Sequence, residues 1–270
     1  MPETNFRIED ALPRAYRTLT PWSDIYTFDF RRFLNSLKIL EREAGPLAGK
    51  KVLDLGSGIG LMIKTLNLLG AEAMGVDKLV FSSEPASIYS VKNFEKLETL
   101  WRENGIKVFK SDLAFENLPF GDESFDVAIC DATIEHLPVA PKHLFSEARR
   151  ILRKDGLFLV TTPNIASLWK RIRFLLLGRS PNWDLKDYFE NWNNFRGHSR
   201  EFTKKELREM LEWSGFKIIS LETKNVFRNE KRFFSKNPQK VMSQVFEFLS
   251  APFPGARDTI YALAKPATIK

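Results

Sequence analysis

The sequence predicts an α/β chain built on a doubly wound sheet, with helices on both faces. Three observations predict it. Apolar runs of strand length alternate with helical stretches from about residue 30 to residue 162. The first of them, Val52–Leu55, runs straight into a glycine-studded loop, Gly56, Gly58 and Gly60. A second ends in Asp77, 17 positions after Gly60. Strands separated by helices at this pitch form βαβ units, and right-handed crossovers gather the strand C-termini on one edge, where ligands bind.

Each element has its own signal. Phe30–Glu43 places Phe30, Phe33, Leu34, Leu37 and Leu40 on one helical face and stops near Gly45-Pro46. Strands are expected at Lys51–Leu55, Glu72–Val76, Lys107–Lys110, Phe125–Cys130 and Leu157–Thr161. Helices are expected between them at Leu61–Leu69, Pro85–Glu103 and Pro141–Leu152. After Thr162 the rhythm breaks: residues 163–202 hold Pro163, Pro181, three Trp and the basic-apolar run WKRIRFLLLGR. It resumes with a helix at Thr203–Ser214, opened by the capping box of Thr203 and Glu206 and closed by Gly215. A strand at Phe216–Leu221, an amphipathic stretch at Val241–Leu249 and a last strand at Thr259–Ala264 complete the chain.

The 270 residues suffice for one large domain. Its 41 basic and 34 acidic side chains leave a net charge of +7, which favours anionic partners without choosing among nucleic acid, phosphorylated metabolites and lipid headgroups. The lone Cys130 excludes an intrachain disulfide and a Cys-rich zinc site. The charged N-terminal stretch reads as no secretory leader, and no run approaches the length of a spanning helix, so the expected location is cytoplasmic, with peripheral attachment to a membrane open.

Glycine permits positive φ and lets a ligand lie against the backbone. Placed after a buried strand, before a helix, and followed by an acid that ends the next strand, such a loop reads as the seat of an adenosine-containing cofactor. The spacing G-x-G-x-G is one residue shorter than the dinucleotide fingerprint. At this point the chain resembles the class I S-adenosylmethionine-dependent methyltransferases, closely over about 50–162 and more loosely over 198–265. Five segments carry the likeness: DLGSGIG at 54–60, Asp77, Ser111-Asp112-Leu113, LPFGDESFDVAICDATIEHLP and ARRILRKDGLFLVTTPN.

The resemblance implies a Rossmann-like, seven-stranded mixed sheet with an antiparallel final strand and an inserted lid. It implies S-adenosyl-L-methionine as cofactor. Asp54, Gly56, Ser57, Gly58 and Gly60 would form the loop under its methionine part, the backbone N–H groups and the next helix N-terminus receiving the carboxylate. Asp77 and Lys78 would lie at the ribose, Asp112 and Leu113 at the adenine, and Asp131 near the sulfonium. Glu135-His136 recurs in the small-molecule subgroup. In quinone-biosynthesis O-methyltransferases of similar sequence a further acid precedes this pair and helps hold a metal; Ala132 stands at that position, so no metal is expected.

If the acceptor is a hydroxyl, a base with a pKa near neutrality assists. Of His136, His143 and His198, the candidates are His198, located after the fifth strand, and His136. Residues 1–45 read as an N-terminal helical cover and 46–270 as the catalytic domain, with acceptor-side insertions at about 163–202 and 222–256. Tyr16, Trp22 and Tyr26 suit a lid over an apolar acceptor. Lys170, Arg171, Arg173 and Arg179 among Ile172 and Phe174–Leu177, and the similar Arg228–Lys236 segment, suit a lipid, a glycan-lipid or an anionic membrane surface. The same side chains also suit solvated lid helices. The expected function is methyl transfer to a small-molecule, lipid or glycan acceptor, on oxygen; the alternatives are an NAD-dependent oxidoreductase and an RNA methyltransferase.

Overall fold

The computed structural model describes residues 6–26, 29–79, 91–178, 185–190, 197–226, 245 and 248–267. Its strands are β1 (Lys51–Leu55), β2 (Glu72–Asp77), β3 (Val108–Lys110), β4 (Phe125–Asp131), β5 (Leu152–Pro163), β6 (Phe216–Lys224) and β7 (Thr259–Pro266). They form one sheet in the order β3-β2-β1-β4-β5-β7-β6. The pairs β1–β2, β1–β4, β2–β3 and β4–β5 are parallel, whereas β7 runs antiparallel between β5 and β6. The seven-stranded mixed sheet is therefore the one the resemblance implies.

Helices are α1 (Ile8–Thr18), α2 (Phe30–Ala44), α3 (Leu61–Leu68), α4 (Val91–Glu103), α5 (Lys142–Ile151), α6 (Leu168–Leu177), α7 (Leu185–Glu190) and α8 (Lys204–Trp213). Alternation along each strand divides the core in two. Val52, Val127, Ile129, Leu157 and Leu159 bury against α1 to α4. Leu53, Leu55, Ala128, Cys130, Phe158 and Val160 bury against α5 and α8. Helices thus cover both faces. Ile8, Ala11, Leu12 and Ala15 of α1 belong to the first cluster, so the N-terminal segment shares the core of the sheet it covers.

Several boundaries differ from the sequence reading, with β2 running on to Asp77, β4 to Asp131, β5 to Pro163 and β6 to Lys224. Strand β5 begins at Leu152, where the reading continued a helix, because Leu152 already pairs with Phe125 ahead of a register shift. Helix α1 carries Pro13 and a dense mixture of charges, which hid its apolar face. Where the reading rested on capping it matches: the Thr203 hydroxyl accepts from Glu206 N and the Glu206 carboxylate accepts from Thr203 N. The start of the helix expected from Pro85, Arg179, the Arg228–Lys236 segment and most of Val241–Leu249 lie outside the described residues.

A buried ion pair fastens α2 to the sheet. Arg32 Nε donates to Asp131 Oδ2 at 2.7 Å, and Arg32 also pairs with Asp29. The other Asp131 oxygen accepts from Ser36 Oγ at 3.1 Å and Thr161 Oγ1 at 2.6 Å. Burial opposes the Arg32 charge, but the two carboxylates outweigh it and hold the guanidinium protonated. Removing one partner of such a pair strands the other's charge in the interior. We therefore expect Arg32→Met to lower stability by about 3–5 kcal/mol, and Asp131→Asn added to it to restore a substantial part. Urea unfolding of the three proteins checks this.

Candidate functional site

The site lies at the C-terminal ends of β1, β2 and β4. Gly56, Gly58 and Gly60 all have positive φ (88°, 52° and 82°), and each lacks room for a side chain. A Cβ on Gly56 would fall 2.3 Å from Thr133 Oγ1, and one on Gly58 would fall 2.8 Å from the Tyr26 hydroxyl. Thr133 Oγ1 in turn donates to Leu55 O at 3.1 Å. The loop is thus a bare cradle, bounded by the β4 turn on one side and by the N-terminal cover on the other.

The loop N–H groups are largely spent within the fold. Gly56 N and Ser57 N donate to Val76 O, Gly60 N to Ser57 O, and Gly58 N to Asp77 Oδ2 at 2.9 Å. The expectation that they receive a carboxylate is therefore corrected to the first turn of α3, whose N–H groups open at the loop's end. Ser57 turns its side chain inward onto Gly75, and its buried hydroxyl has no hydrogen-bond partner among the described residues.

Asp77 accepts from Gly58 N and, at 2.8 Å, from Leu79 N, one bond per oxygen. A carboxylate has roughly four acceptor directions, so each oxygen keeps one for a ribose hydroxyl. Asp54 is buried, and no donor among the described residues meets its carboxylate. Burial, then the nearby Asp131 and Asp77 charges, push its pKa well above the usual range. A cationic ligand group, such as the ammonium of a bound amino acid, relieves that repulsion.

Four other expected cofactor residues have partners or packing of their own. Lys78 Nζ meets Asp112 Oδ2 at 2.7 Å, and Asp112 Oδ1 accepts from Ala114 N at 3.0 Å, so the acid both turns the chain and pairs with the lysine. Leu113 buries its side chain in the core on the α5 face. The Asp131 carboxylate pairs with Arg32 and accepts from Ser36 and Thr161, so its side chain ties α2 and β5 to the end of β4.

Beyond β4, Ala132 takes a positive φ of 50° and sends the chain into the short turn Ile134–His136. There the Glu135 carbonyl accepts from Ser199 N (2.7 Å) and Arg200 N (3.3 Å), drawing the 197–203 segment onto the turn. The His136 and His198 rings consequently meet edge to face at 4.8 Å. Glu135, His136 and His198 present ligand-type atoms within 4.8 Å of one another. The sequence reading placed no metal here because of Ala132; the structure brings His198 in as a third donor from a distant segment. His143 lies apart, bonded to the Glu116 carbonyl.

Glu135 is fully buried; Oε2 accepts from Thr162 Oγ1 at 3.1 Å, and Oε1 has no partner among the described residues. Burial pushes its pKa up to about 7, against its own backbone N–H, His198, Arg32 and Thr162, which favour the charge. Two features were missed by sequence reasoning. The Tyr26 approach to Gly58 has no local signal, and neither has Glu201, which binds both His198 and Lys170.

A doubly wound sheet with a side-chain-free first turn and a free-faced acid ending its second strand defines a binder of adenosyl ligands. A family model described as a methyltransferase domain matches residues 29–221. The ubiquinone biosynthesis O-methyltransferase of Haemophilus ducreyi is 28% identical over 145 residues, 53% of this chain and 58% of that protein. The chain thus spans somewhat over half the length of that relative. A Mycolicibacterium smegmatis protein named probable S-adenosylmethionine-dependent methyltransferase is 31% identical over 218 residues, 81% of this chain and 70% of that one. Among solved structures, a SAM-dependent methyltransferase of Archaeoglobus fulgidus superposes with a TM-score of 0.55 at 20% identity, covering 91% of this chain and 99% of that one. The chain belongs to the methyltransferase-domain family. The match sets aside the NAD-dependent alternative, and S-adenosylmethionine, the cofactor of that class, suits the residues present: a bare loop, an unpartnered buried Asp54 and the free faces of Asp77.

Two outcomes are expected. Asp77→Ala should weaken S-adenosylhomocysteine binding by about 1.5–3 kcal/mol, the worth of charge-assisted hydrogen bonds, read by calorimetry. Glu135 holds its proton to about pH 7 when folded, and its ordinary value is 4.5. Between those values the folded state binds more protons, so stability should fall by about 3 kcal/mol as pH rises through this window and level off above it. Unfolding curves from pH 4 to 8, with chelator present, should show a flatter profile for Glu135→Gln.

Proposed function

We propose that this chain transfers a methyl group from S-adenosylmethionine to a hydroxyl of a small-molecule acceptor with lipid-like apolar character. The observation that carries the reading is one juxtaposition. Thr133 seats the Gly56 loop, and two to three residues further on Glu135 and His136 meet His198. Cradle and acid-base cluster thus share one turn. The relatives named for ubiquinone biosynthesis support oxygen as the acceptor atom.

When bound, S-adenosylmethionine supplies a methyl on a sulfonium: the S–CH₃ bond breaks with its pair left on sulfur as the acceptor oxygen bonds the carbon and sheds its proton. The chain's own task is alignment, exclusion of water and acceptance of that proton. The Asp77 carboxylate and the bare loop orient the ligand. Tyr26, resting over Gly58, covers the cradle from the solvent side. The paired imidazoles of His136 and His198 offer the proton a destination.

Helix α6 supports the lipid-like acceptor. No residue of α6 is fully buried, and Phe174, Leu175, Leu176 and Leu177 stand in solvent, Leu175 at 82% exposure. Arg171 and Arg173 sit beside them, with Arg173 over the Trp169 ring. Leu185 and Phe189 of α7 are equally bare. An apolar tip flanked by arginines suits the surface of an anionic bilayer, and no described helix is long and apolar enough to cross one. Peripheral contact with such a surface would deliver an apolar acceptor to the site. Lys170, grouped with these cations in the sequence reading, points inward to Glu201 instead.

The test is incubation with methyl-labelled S-adenosylmethionine and a cell extract, followed by phase partition. Label is expected in the organic phase. Label confined to the aqueous phase would keep methyl transfer and redirect the search to sugars, small metabolites or RNA. The paired change Leu175→Glu and Leu176→Glu should abolish co-sedimentation with vesicles containing phosphatidylglycerol and leave S-adenosylhomocysteine affinity unchanged; undiminished sedimentation would remove α6 from the membrane contact.

A further inference from the structure

We propose that Glu201 and Lys170 are positioning residues that fix His198 as the proton acceptor of the methyl-transfer site. The proposal rests on the reading of the preceding subsection and adds two residues to it: Glu201, and Lys170, which the sequence grouped with the outward cations of its helix.

The geometry is that of a base held by a buried carboxylate. His198 Nδ1 lies 2.7 Å from Glu201 Oε1, with the two side chains 14% and 2% exposed. The second Glu201 oxygen, Oε2, is taken by Lys170 Nζ. Burial would favour a neutral Glu201, but the hydrogen bond from His198 and the Lys170 charge overcome it and keep the carboxylate ionised. An ionised carboxylate only accepts. Nδ1 must therefore carry the ring proton, which leaves Nε2 as the lone-pair nitrogen. Glu201 holds the ring in that tautomer and faces the imidazolium that forms, without taking the proton itself; this is the logic by which a buried acid serves a catalytic histidine in general.

The ring is also clamped from the other side. Ser199 N and Arg200 N are tied to the Glu135 carbonyl, and the Thr203–Glu206 capping box stiffens the start of α8 just beyond. His136 presses edge-on against the His198 ring, with its own Nδ1 donating to Gly197 O at 3.1 Å. Among the described residues the titratable groups facing His198 are Glu201 and Lys170 on one side and Glu135 and His136 on the other. Lys170 sits on a helix whose neighbouring side chains stand mostly in solvent, and it is Lys170 that turns in.

In the step itself the acceptor hydroxyl gives its proton to His198 Nε2 while its oxygen bonds the methyl carbon and the S–C pair stays on sulfur. The imidazolium then releases the proton to water, so no further reagent is consumed.

The chain has three histidines, which makes ¹⁵N-histidine spectra assignable with His198→Gln as reference. Wild-type protein should show His198 as the Nδ1–H tautomer. Glu201→Gln, whose amide both donates and accepts, should lose that preference, and Lys170→Met should weaken it. In the labelled-methyl assay Glu201→Gln should lose activity by about 10²-fold at unchanged S-adenosylhomocysteine affinity, and Lys170→Arg should retain activity. An Nε2–H tautomer in the wild-type protein, or undiminished transfer by a folded Glu201→Gln, would overturn the proposal. So would selective broadening of the His136 and His198 signals by stoichiometric Mn²⁺, which would assign the ring nitrogens to a cation. The tautomer needs no acceptor, so a wild-type protein that transfers no methyl would sink the methyl-transfer reading while the spectra still judge the positioning.

Discussion

The Asp131 carboxylate is the point on which the site's architecture depends. It sits at the tip of β4, buried, and collects Arg32 and Ser36 from α2 and Thr161 from β5. A buried charge so placed is tolerable only with every direction answered. In answering it the fold locks α2 across the strand ends and fixes where β4 stops. Ala132 follows at once in a left-handed conformation, and from that bend Thr133 drops onto Gly56 while Glu135 and His136 turn toward the acceptor side. Cofactor cradle and acid-base cluster are thus both hung from the one carboxylate that Arg32, Ser36 and Thr161 hold.

This arrangement separates two kinds of acid. Asp131 is compensated and structural. Asp54 and Glu135 are buried with too few partners and therefore resist ionisation. Uncompensated acids of this sort cost the fold stability when ionised, and both lie beside the strand ends that form the site. Glu201 belongs to the first kind by its own ion pair, yet it passes the benefit on to His198.

The sequence made legible whatever is local. The β1 run, the glycine loop and Asp77 lie within one βαβ unit, and their order in the chain is their order in space. The capping box at Thr203 and Glu206 spans a single turn and was read directly. What it left illegible is pairing across distance. Arg32 and Asp131 are 99 positions apart, and nothing in the periodicity of either segment marks the other. Lys170 looked like one more cation in a basic run, because a helix carries no outward sign of which long side chain will fold inward. His198 was placed near the acceptor by resemblance, but its partner Glu201, three positions on, looked like ordinary charge before a helix. The Asp131 side chain was illegible for a related reason: a motif fixes a residue's position at the strand end without fixing what its side chain faces, here Arg32, Ser36 and Thr161.

The contact between Gly56 and Thr133 has an evolutionary consequence. A hydroxyl lodged where a β-carbon would stand makes the two positions a single steric unit, although one belongs to the first strand's loop and the other to the fourth's. Substitution at position 56 alone meets a collision, and substitution at 133 alone opens a void beneath the ligand. Because the φ of 88° also strains any side chain at position 56, room made at 133 does not release it, and descendants of this chain should keep the glycine even as their acceptor-side helices diverge.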